Sequence, residues 1–435
     1  MEHAIWNPQF ETMPRGEIEQ LQLERLQATV NRVFRNVRFY GQMFEHEGLV
    51  PEDFGTFEDL RKLPFTTKAD LRSAYPYSMF ALPLREVVRI HSSSGTTGHP
   101  TVVGYTRNDL AHWTELTARN LVAGGVTKDD VVQVFFGYGL FSGGFGLHHG
   151  AEAIGASVIP VSSADIESQV KVMQDFRTTA LIGLPSYALQ IAQAIEQGDV
   201  DPNSLCLRVG VFGGEPWSEA RREEIEQRLR IRATDIYGLS EVGGPGVSGE
   251  CECRCGLHIS EDHFIVEVID PESLEPIADG EPGELVFTTV AKEAFPLLRY
   301  RTGDVASVTR ERCACGRTLA RMSRIHRRTD DMVIIHGQNI HPADIATVIA
   351  DIPGVGGAFR LIVDRVAGKD TLEVEVELSS DLSDDTVSAI ERTDNDLTER
   401  LSRTLGFELQ VRLTEPRSLT ANGEKSAQVV DRRSV

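Results

Sequence analysis

The chain has 435 residues, 41% of them hydrophobic and 25% charged, with a formal net charge of −21 and a pI near 5.0. That length fits two or three domains with a full core, and the acidic balance argues against general nucleic-acid binding, which needs a basic face to neutralise phosphates. No apolar run approaches the length of a membrane span, and MEHAIWNPQFETMPRG lacks the basic and apolar regions of a signal peptide, so a cytoplasmic protein without membrane contact is expected.

Ile18, Leu21, Leu26, Val30, Val33, Phe34 and Val37 recur at helical spacing and predict one packing helix from 16 to about 44. The first stretch that points to chemistry is RIHSSSGTTGHPTVVGYT, residues 89–106. Ser92, Ser93, Ser94, Gly95, Thr96, Thr97 and Gly98 offer hydroxyls and main-chain N–H groups with no large side chain in the way, so this loop can wrap a phosphate. Apolar, β-branched segments at 87–90 and 101–103 clamp it between two predicted strands, which favours a phosphate cradle over a plain polar turn. No Gly-Lys-Ser/Thr follows the glycines, so a P-loop nucleoside triphosphatase is a poor reading.

Beyond the loop, predicted strands at 130–136, 157–161, 180–184, 207–212 and 233–237 alternate with helical periodicity at 168–176, 186–196 and 219–229. This is a βα pattern with a largely parallel sheet. Ligands sit at the carboxyl ends of such strands. The segments there are 137–144, Pro185-Ser186-Tyr187, Gly213-Gly214-Glu215-Pro216 and Gly238-Leu239-Ser240-Glu241. From 264 to 289 the pattern becomes β alternation with Gly-containing turns, predicting a small antiparallel subdomain. The charged run RRTDD at 327–331 then separates a last region with its own α+β pattern: strands at 332–335, 371–378 and 408–413, and helices at 342–352 and 384–405. Five of the six cysteines gather at Cys251/Cys253/Cys255 and Cys313/Cys315, apart from Cys206, and such clustering in a reducing compartment points to metal before disulfide.

Taken together, the loop at 92–98, YGLSE at 237–241, YRTGD at 300–304 and RTDDM at 328–332 resemble the ordered motifs of the adenylate-forming superfamily of acyl-CoA synthetases. WNPQFETM, EDHF at Glu261 and RYRTGD are most similar to its phenylacetate-CoA ligase branch, and the resemblance covers nearly the whole chain. It implies an α/β fold in two parts. Residues 1–329 form a large N-terminal adenylation domain of mostly parallel βα sheets plus the antiparallel subdomain, and 330–435 a small mobile α+β domain. It also implies two steps: a carboxylate attacks the α-phosphorus of Mg-ATP to give acyl-AMP and pyrophosphate, and the thiol of coenzyme A then displaces AMP.

The resemblance assigns roles that the side chains can fill. The loop would hold the β- and γ-phosphates, and Gly214, Glu215, Pro216, Asp235, Ile236, Tyr237 and Gly238 would complete the ATP/AMP site. Asp304 offers two oxygens for the ribose hydroxyls, Glu241 suits Mg²⁺, Arg328 would reach ribose or phosphate, and Asp330 would be the hinge. Lys425, in SLTANGEKSAQVVD, resembles the lysine that bridges the attacking carboxylate and the α-phosphate, although Gly-Glu-Lys replaces the commoner Glu-Gly-Lys. Tyr138, Phe141, Gly214, Ile236, Gly238 and Pro245 fall where relatives line the acyl pocket, and favour an aromatic acid over a long chain, though each also suits a core. Cys251, His258, Cys313 and Cys315 match a structural zinc set, with Cys253 and Cys255 as further candidates.

Two departures stand out. His99 replaces a usual Lys after the loop, and Arg327 replaces the Gly that usually precedes the hinge arginine. They bear more on thioester formation than on adenylation. Transfer of the acyl group to a carrier-protein thiol or an amine, transfer of AMP itself, and an idle adenylate-binding or zinc-stabilised interaction protein are the alternatives; a homodimer stays open. Lys425→Ala is expected to lose carboxylate-dependent pyrophosphate exchange while still converting preformed acyl-adenylate to thioester, and undiminished exchange would overturn the assignment.

Overall fold

The computed structural model describes residues 3–92, 100–139, 142–162, 165–198, 200–329, 332–366, 369–379, 387–416, 418–419 and 429–433. Two compact units divide the chain after Thr329. The first opens with helices α1 (Pro8–Glu11), α2 (Arg15–Asn36), α3 (Arg38–Glu47) and α4 (Lys68–Ser73). The single helix expected from 16 to 44 is broken at Val37, whose φ of −105° and ψ of 110° are extended. The break turns Tyr40 and Phe44 back onto Val30 and Val33 in one core cluster, so tertiary packing overrides local periodicity.

Strands β1 (Arg89–Ser92) and β2 (Val102–Tyr105) form the antiparallel hairpin predicted around the Ser/Thr/Gly loop. Thr106 then caps α5 (Arg107–Ala123) through a reciprocal pair with Asp109. The βα alternation follows as β3 (Val131–Val134), α6 (Gly143–Ile154), β4 (Ser157–Ile159), α7 (Ile166–Asp175), β5 (Ala180–Gly183), α8 (Pro185–Gln197), β6 (Val209–Gly213), α9 (Glu219–Leu229) and β7 (Arg232–Leu239). These strands pair in parallel in the order β7-β6-β5-β3-β4. Successive side chains point to opposite faces, as a strand requires. Ile182 and Val211 pack with Leu121 and Leu147 on one side, while Leu181 and Phe212 pack with Ile191 and Ile225 on the other. The sequence pattern missed α5 and α6. The first is a buried helix carrying Thr117, Arg119 and Asn120 inside, and the second is built on glycines, so neither shows a clean apolar stripe.

The five strands expected to run parallel do so, and the main sheet continues beyond them. Strands β8 (Gly244–Glu250) and β9 (Leu257–Ile259) extend it antiparallel beyond β7. The separate sheet then comes from β10 (Phe264–Ile269), β11 (Gly283–Thr289), β12 (Tyr300–Ala306) and, later in the chain, β15 (Arg327–Arg328), while β13 (Val308–Thr309) and β14 (Arg321–Met322) complete nine strands in the main sheet.

The second unit contains the hairpin β16 (Val333–Ile335) and β17 (Gln338–Ile340), helix α10 (Pro342–Ala350), β18 (Val355–Val366), β19 (Lys369–Leu378), helix α11 (Val387–Leu405), β20 (Gln410–Thr414) and β21 (Val429–Asp431). Its four-stranded sheet runs β20-β19-β18-β21 and packs Leu361, Val363, Val374 and Val376 against Ile345, Ile349, Leu397 and Leu401. The sequence reading passed over β18, the longest strand. No described helix is long and apolar enough to cross a membrane.

One buried charge in the first unit has no hydrogen-bonded partner among the described residues. Lys292 follows β11, is 8% exposed, and its ammonium lies 4.4 Å above the Tyr105 ring with no hydrogen-bond acceptor among the described residues. Burial lowers its pKa to about 8 from 10.5, against the opposing charges of Asp109 and Glu241. The unfolded chain therefore holds this proton more tightly, so the amine destabilises the fold below pH 8 and the penalty is relieved as pH rises toward 10.5. Between pH 7 and 10, denaturant unfolding should show wild type gaining about 2 kcal/mol relative to Lys292→Met. Parallel pH curves for the two would show that the amine carries no such penalty.

Candidate functional site

The parallel strands end in the segments marked from sequence, and the edge of the crevice is built by backbone that tolerates close approach. After β6, Gly214 has φ +82° and is exposed, while a Cβ there would lie 3.2 Å from Leu184 and 3.4 Å from Phe136. Glu215 follows and is buried; its carboxylate accepts from the Ser186 backbone N–H at 2.6 Å and the Ser186 hydroxyl at 3.0 Å, which caps the start of α8. Pro216 is exposed beyond it. On β7, a Cβ on Gly238 would fall 1.9 Å from the carbonyl oxygen of Gly244, so only glycine lets β8 turn back here.

Asp304 is the centre of the polar network. It sits on β12, is 7% exposed, and pairs in register with Arg328 on β15. The Tyr237 hydroxyl donates to Asp304 Oδ2 at 2.7 Å, and Arg328 Nη1 donates to Oδ1. Arg328 Nη2 also donates to the Thr302 carbonyl at 2.9 Å, and the Asp304 N–H donates to Thr302 Oγ1 at 3.0 Å. Burial, followed by the Asp304 charge, drives the Tyr237 phenol well above its ordinary pKa, so it stays a donor. Three residues assigned from separate sequence motifs thus meet in one clamp, two of them from the antiparallel sheet and one from the main sheet.

Glu241 lies in the turn between β7 and β8, not at a helix start, and is 6% exposed. Lys68 Nζ is 3.9 Å from its Oε1, and the preceding Ser240 shares a 2.8 Å hydrogen bond with Ser142. Asp235 is held between charges: its N–H donates to Glu250 at 2.8 Å and Arg324 Nε stands 3.5 Å from its carboxylate. Burial, then the Glu250 charge, pushes the Asp235 carboxyl up to about 8, so it is protonated near neutrality. Lys68 and Lys292 escaped the sequence reading because a single lysine outside a motif looks like solvated surface.

Of the acyl-pocket candidates, Tyr138 and Ile236 pack in one cluster with Phe136 and Leu184, which also face Gly214. Ile236 is 4% exposed and belongs to the core as much as to a pocket wall. Gly238 pairs with Pro245, whose carbonyl accepts from Trp113 Nε1 at 2.8 Å. A relay unseen in the sequence backs Tyr138: its hydroxyl is 3.1 Å from His148 Nδ1, and His148 Nε2 is 3.1 Å from Glu152. Behind Pro245 a cavity of about 40 Å³, room for a water or two, is lined by Lys292, His112 and Trp113. Ser92 ends β1 and is buried, whereas Ser93, Ser94, Gly95, Thr96, Thr97, Gly98, His99, Phe141, Asp330 and Lys425 lie outside the described residues. Arg327 is exposed on β15.

Cys251, His258, Cys313 and Cys315 are all buried and bring their ligand atoms within 4.8 Å of one another. Cys251 Sγ is 3.8 Å from Cys313 Sγ, and Cys315 Sγ is 3.5 Å from His258 Nε2. Cys251 follows β8, His258 is on β9, and Cys313 and Cys315 precede β14, so the cluster lies along the antiparallel extension of the main sheet, not at a joint with the separate subdomain. Cys253 instead approaches His3, and Cys255 is exposed.

Comparison with known proteins places the whole chain in a family. Residues 52–291 match the AMP-binding enzyme family and 337–433 the AMP-binding enzyme C-terminal domain. The phenylacetate-coenzyme A ligase of Thermus thermophilus is 45% identical, over 99% of this chain and 100% of its own length, and that of Escherichia coli is 44% identical over 98% and 97%. A solved 2-hydroxyisobutyryl-CoA ligase, in complex with 2-HIB-AMP and CoA, superimposes with a TM-score of 0.92 at 28% identity, covering 99% of this chain and 93% of that one. ATP and coenzyme A as co-substrates fit this family, as does a small carboxylic acid. The chain therefore belongs to the adenylate-forming AMP-binding enzymes and, among these acyl-CoA ligases, to the phenylacetate-coenzyme A ligase family.

Proposed function

We propose that the chain joins an arylacetic acid of the phenylacetate kind to coenzyme A. The acid's carboxylate attacks the α-phosphorus of ATP, pyrophosphate leaves, and the coenzyme A thiol then attacks the acyl carbon and releases AMP. The observation that carries this reading is the clamp on Asp304, because a carboxylate fixed between the Tyr237 hydroxyl and the Arg328 guanidinium is preorganised to accept a ribose diol. Glu241 would hold Mg²⁺, which suits a buried carboxylate facing phosphate oxygens and would neutralise charge on the leaving pyrophosphate. Ser92 to Gly98 would hold the β- and γ-phosphates, with Gly214, Glu215, Pro216, Asp235, Ile236, Tyr237 and Gly238 around the nucleotide. Lys425 would stabilise charge at the α-phosphate, and Asp330 would be the hinge between an adenylation domain of 1–329 and a mobile domain of 330–435. Tyr138, Phe141, Gly214, Ile236, Gly238 and Pro245 are proposed to shape a flat pocket for an aromatic ring. A cytoplasmic enzyme, alone or as a homodimer, fits the acidic composition.

Pyrophosphate release should be fastest with phenylacetate when arylacetic, benzoic and medium-chain aliphatic acids are compared, and AMP release should then require coenzyme A. Equal rates for an aliphatic acid would overturn the acyl reading. AMP release driven by an amine or a carrier-protein thiol, and not by coenzyme A, would replace the acceptor.

Zinc is proposed at Cys251, His258, Cys313 and Cys315. Tetrahedral bonds of about 2.3 Å to sulfur and 2.0–2.1 Å to nitrogen require ligand separations of about 3.8 Å between sulfurs and about 3.5 Å between sulfur and nitrogen. Cys251 with Cys313, at 3.8 Å, and Cys315 with His258, at 3.5 Å, have those spacings. A closed four-ligand site is structural and leaves no position for substrate. Purified protein should contain about one zinc per chain, released on thiol modification; a metal-free protein of full stability would remove the site.

A further inference from the structure

Cys255 does not belong to the four-ligand set, yet its Sγ lies 3.3 Å from Cys313 Sγ, closer than Cys251 does. That spacing is short of the roughly 3.8 Å that two sulfurs on one tetrahedral zinc must keep, so Cys255 and Cys313 do not fit together as ligands. It is instead the approach of two thiols with little to cross before bonding at about 2.05 Å. The pair is asymmetric: Cys255 is exposed, while Cys313 is buried at 4%. Arg321, on β14, donates from its guanidinium to the Cys255 carbonyl and to the Glu311 carbonyl, tying the Cys255 turn to the segment that carries Cys313. The turn itself passes through Arg254 and Gly256, both at positive φ, which aims residue 255 toward that segment.

We propose that Cys255 and Cys313 form an oxidative modification site, in which a peroxide converts them to a disulfide and dismantles the metal cluster. A hydroperoxide transfers one oxygen to the exposed Cys255 sulfur, giving sulfenic acid, and its other oxygen leaves as water or alcohol. The Cys313 thiolate attacks that sulfur, the sulfur–sulfur bond forms and hydroxide departs. The two electrons lost by the thiols reduce the peroxide. Cys313 then no longer carries the charge of a ligand, and Cys251, Cys315 and His258 are left as a three-ligand remnant of lower affinity. The loss of zinc rests on the zinc reading above, whereas the disulfide does not.

Full-length protein treated with hydrogen peroxide, after its zinc content is measured, tests both. Wild type should lose about 2 Da, yield a peptide linked through 255 and 313, and release zinc to a chromogenic chelator. Cys255→Ser should keep its zinc at the start, form no link, and release metal roughly tenfold more slowly, while Cys206→Ser behaves as wild type. Zinc-loaded protein that forms no 255–313 link, or Cys255→Ser losing zinc as fast as wild type, overturns the proposal. Metal-free protein that still forms the link removes the zinc reading and leaves the modification site standing.

Discussion

The near contact between Gly238 and the Gly244 carbonyl is the constraint on which the site depends. β7 is the strand where parallel pairing ends and antiparallel pairing begins. It carries Asp235 and Ile236 along β6 and Tyr237 opposite Ser248 of β8, and its end must reverse within a few residues into β8. Any side chain at 238 would push β8 away, and with it Pro245, which pairs with Gly238 and accepts from Trp113. The reversal leaves Glu241 in the turn beside the crevice and sends the chain outward toward Cys251 and β9. One missing Cβ thus positions the proposed metal carboxylate of the active site and the strands that carry the cysteine cluster.

Charge is distributed with similar economy inside a protein whose surface is strongly acidic. Buried ions are tolerable where partners surround them, and Arg119 with Asp262, Arg222 with Glu250 and Arg317 with Glu11 are such pairs. Around the proposed site the rule loosens. Asp235 is held protonated by burial, Lys292 is a buried cation against aromatic faces without a hydrogen-bond acceptor among the described residues, and Glu241 faces Lys68 at 3.9 Å. Groups at odds with their surroundings concentrate where a highly charged ligand such as a triphosphate would supply or relieve charge. The same sites are poor places to look for stability.

Much of the architecture could be read from pattern because each parallel strand is a short, bounded apolar run followed by glycine or a cap, and those signals survive without tertiary context. Helices α5 and α6 could not, since a helix buried on most sides has no polar face to betray its period. The antiparallel half of the main sheet was hidden for another reason: β9, β13 and β14 are three, two and two residues long, too short to show alternation. At the site, Tyr237, Asp304 and Arg328 were legible through motif order, but their convergence was not, because Asp304 and Arg328 meet only through the β12–β15 register. Lys68, Lys292, His148 and Glu152 sit outside any motif, and only burial and distance distinguish them from ordinary surface residues.

Those very short strands raise the physical question of what holds them in the sheet. Two- and three-residue strands offer few ladder hydrogen bonds and little apolar area, so their pairing is weak by itself. β9 and β14 nevertheless pair in register, with His258 opposite Arg321. The cluster draws its four residues from the end of β8, from β9 itself and from the segment entering β14, and so crosses every weak joint at once. A zinc ion there would add a cross-link to burial that these strands already share with the parallel half, since Leu257, Ile259, Val308 and Met322 are covered as fully as Ala180, Leu181 and Ile182. Burial thus holds both halves of the sheet, the proposed zinc would cross-link only the antiparallel one, and the proposed nucleotide site lies at β7, where parallel pairing gives way to antiparallel. A reagent acting on the thiols would remove that proposed cross-link alone and leave the apolar burial of both halves in place.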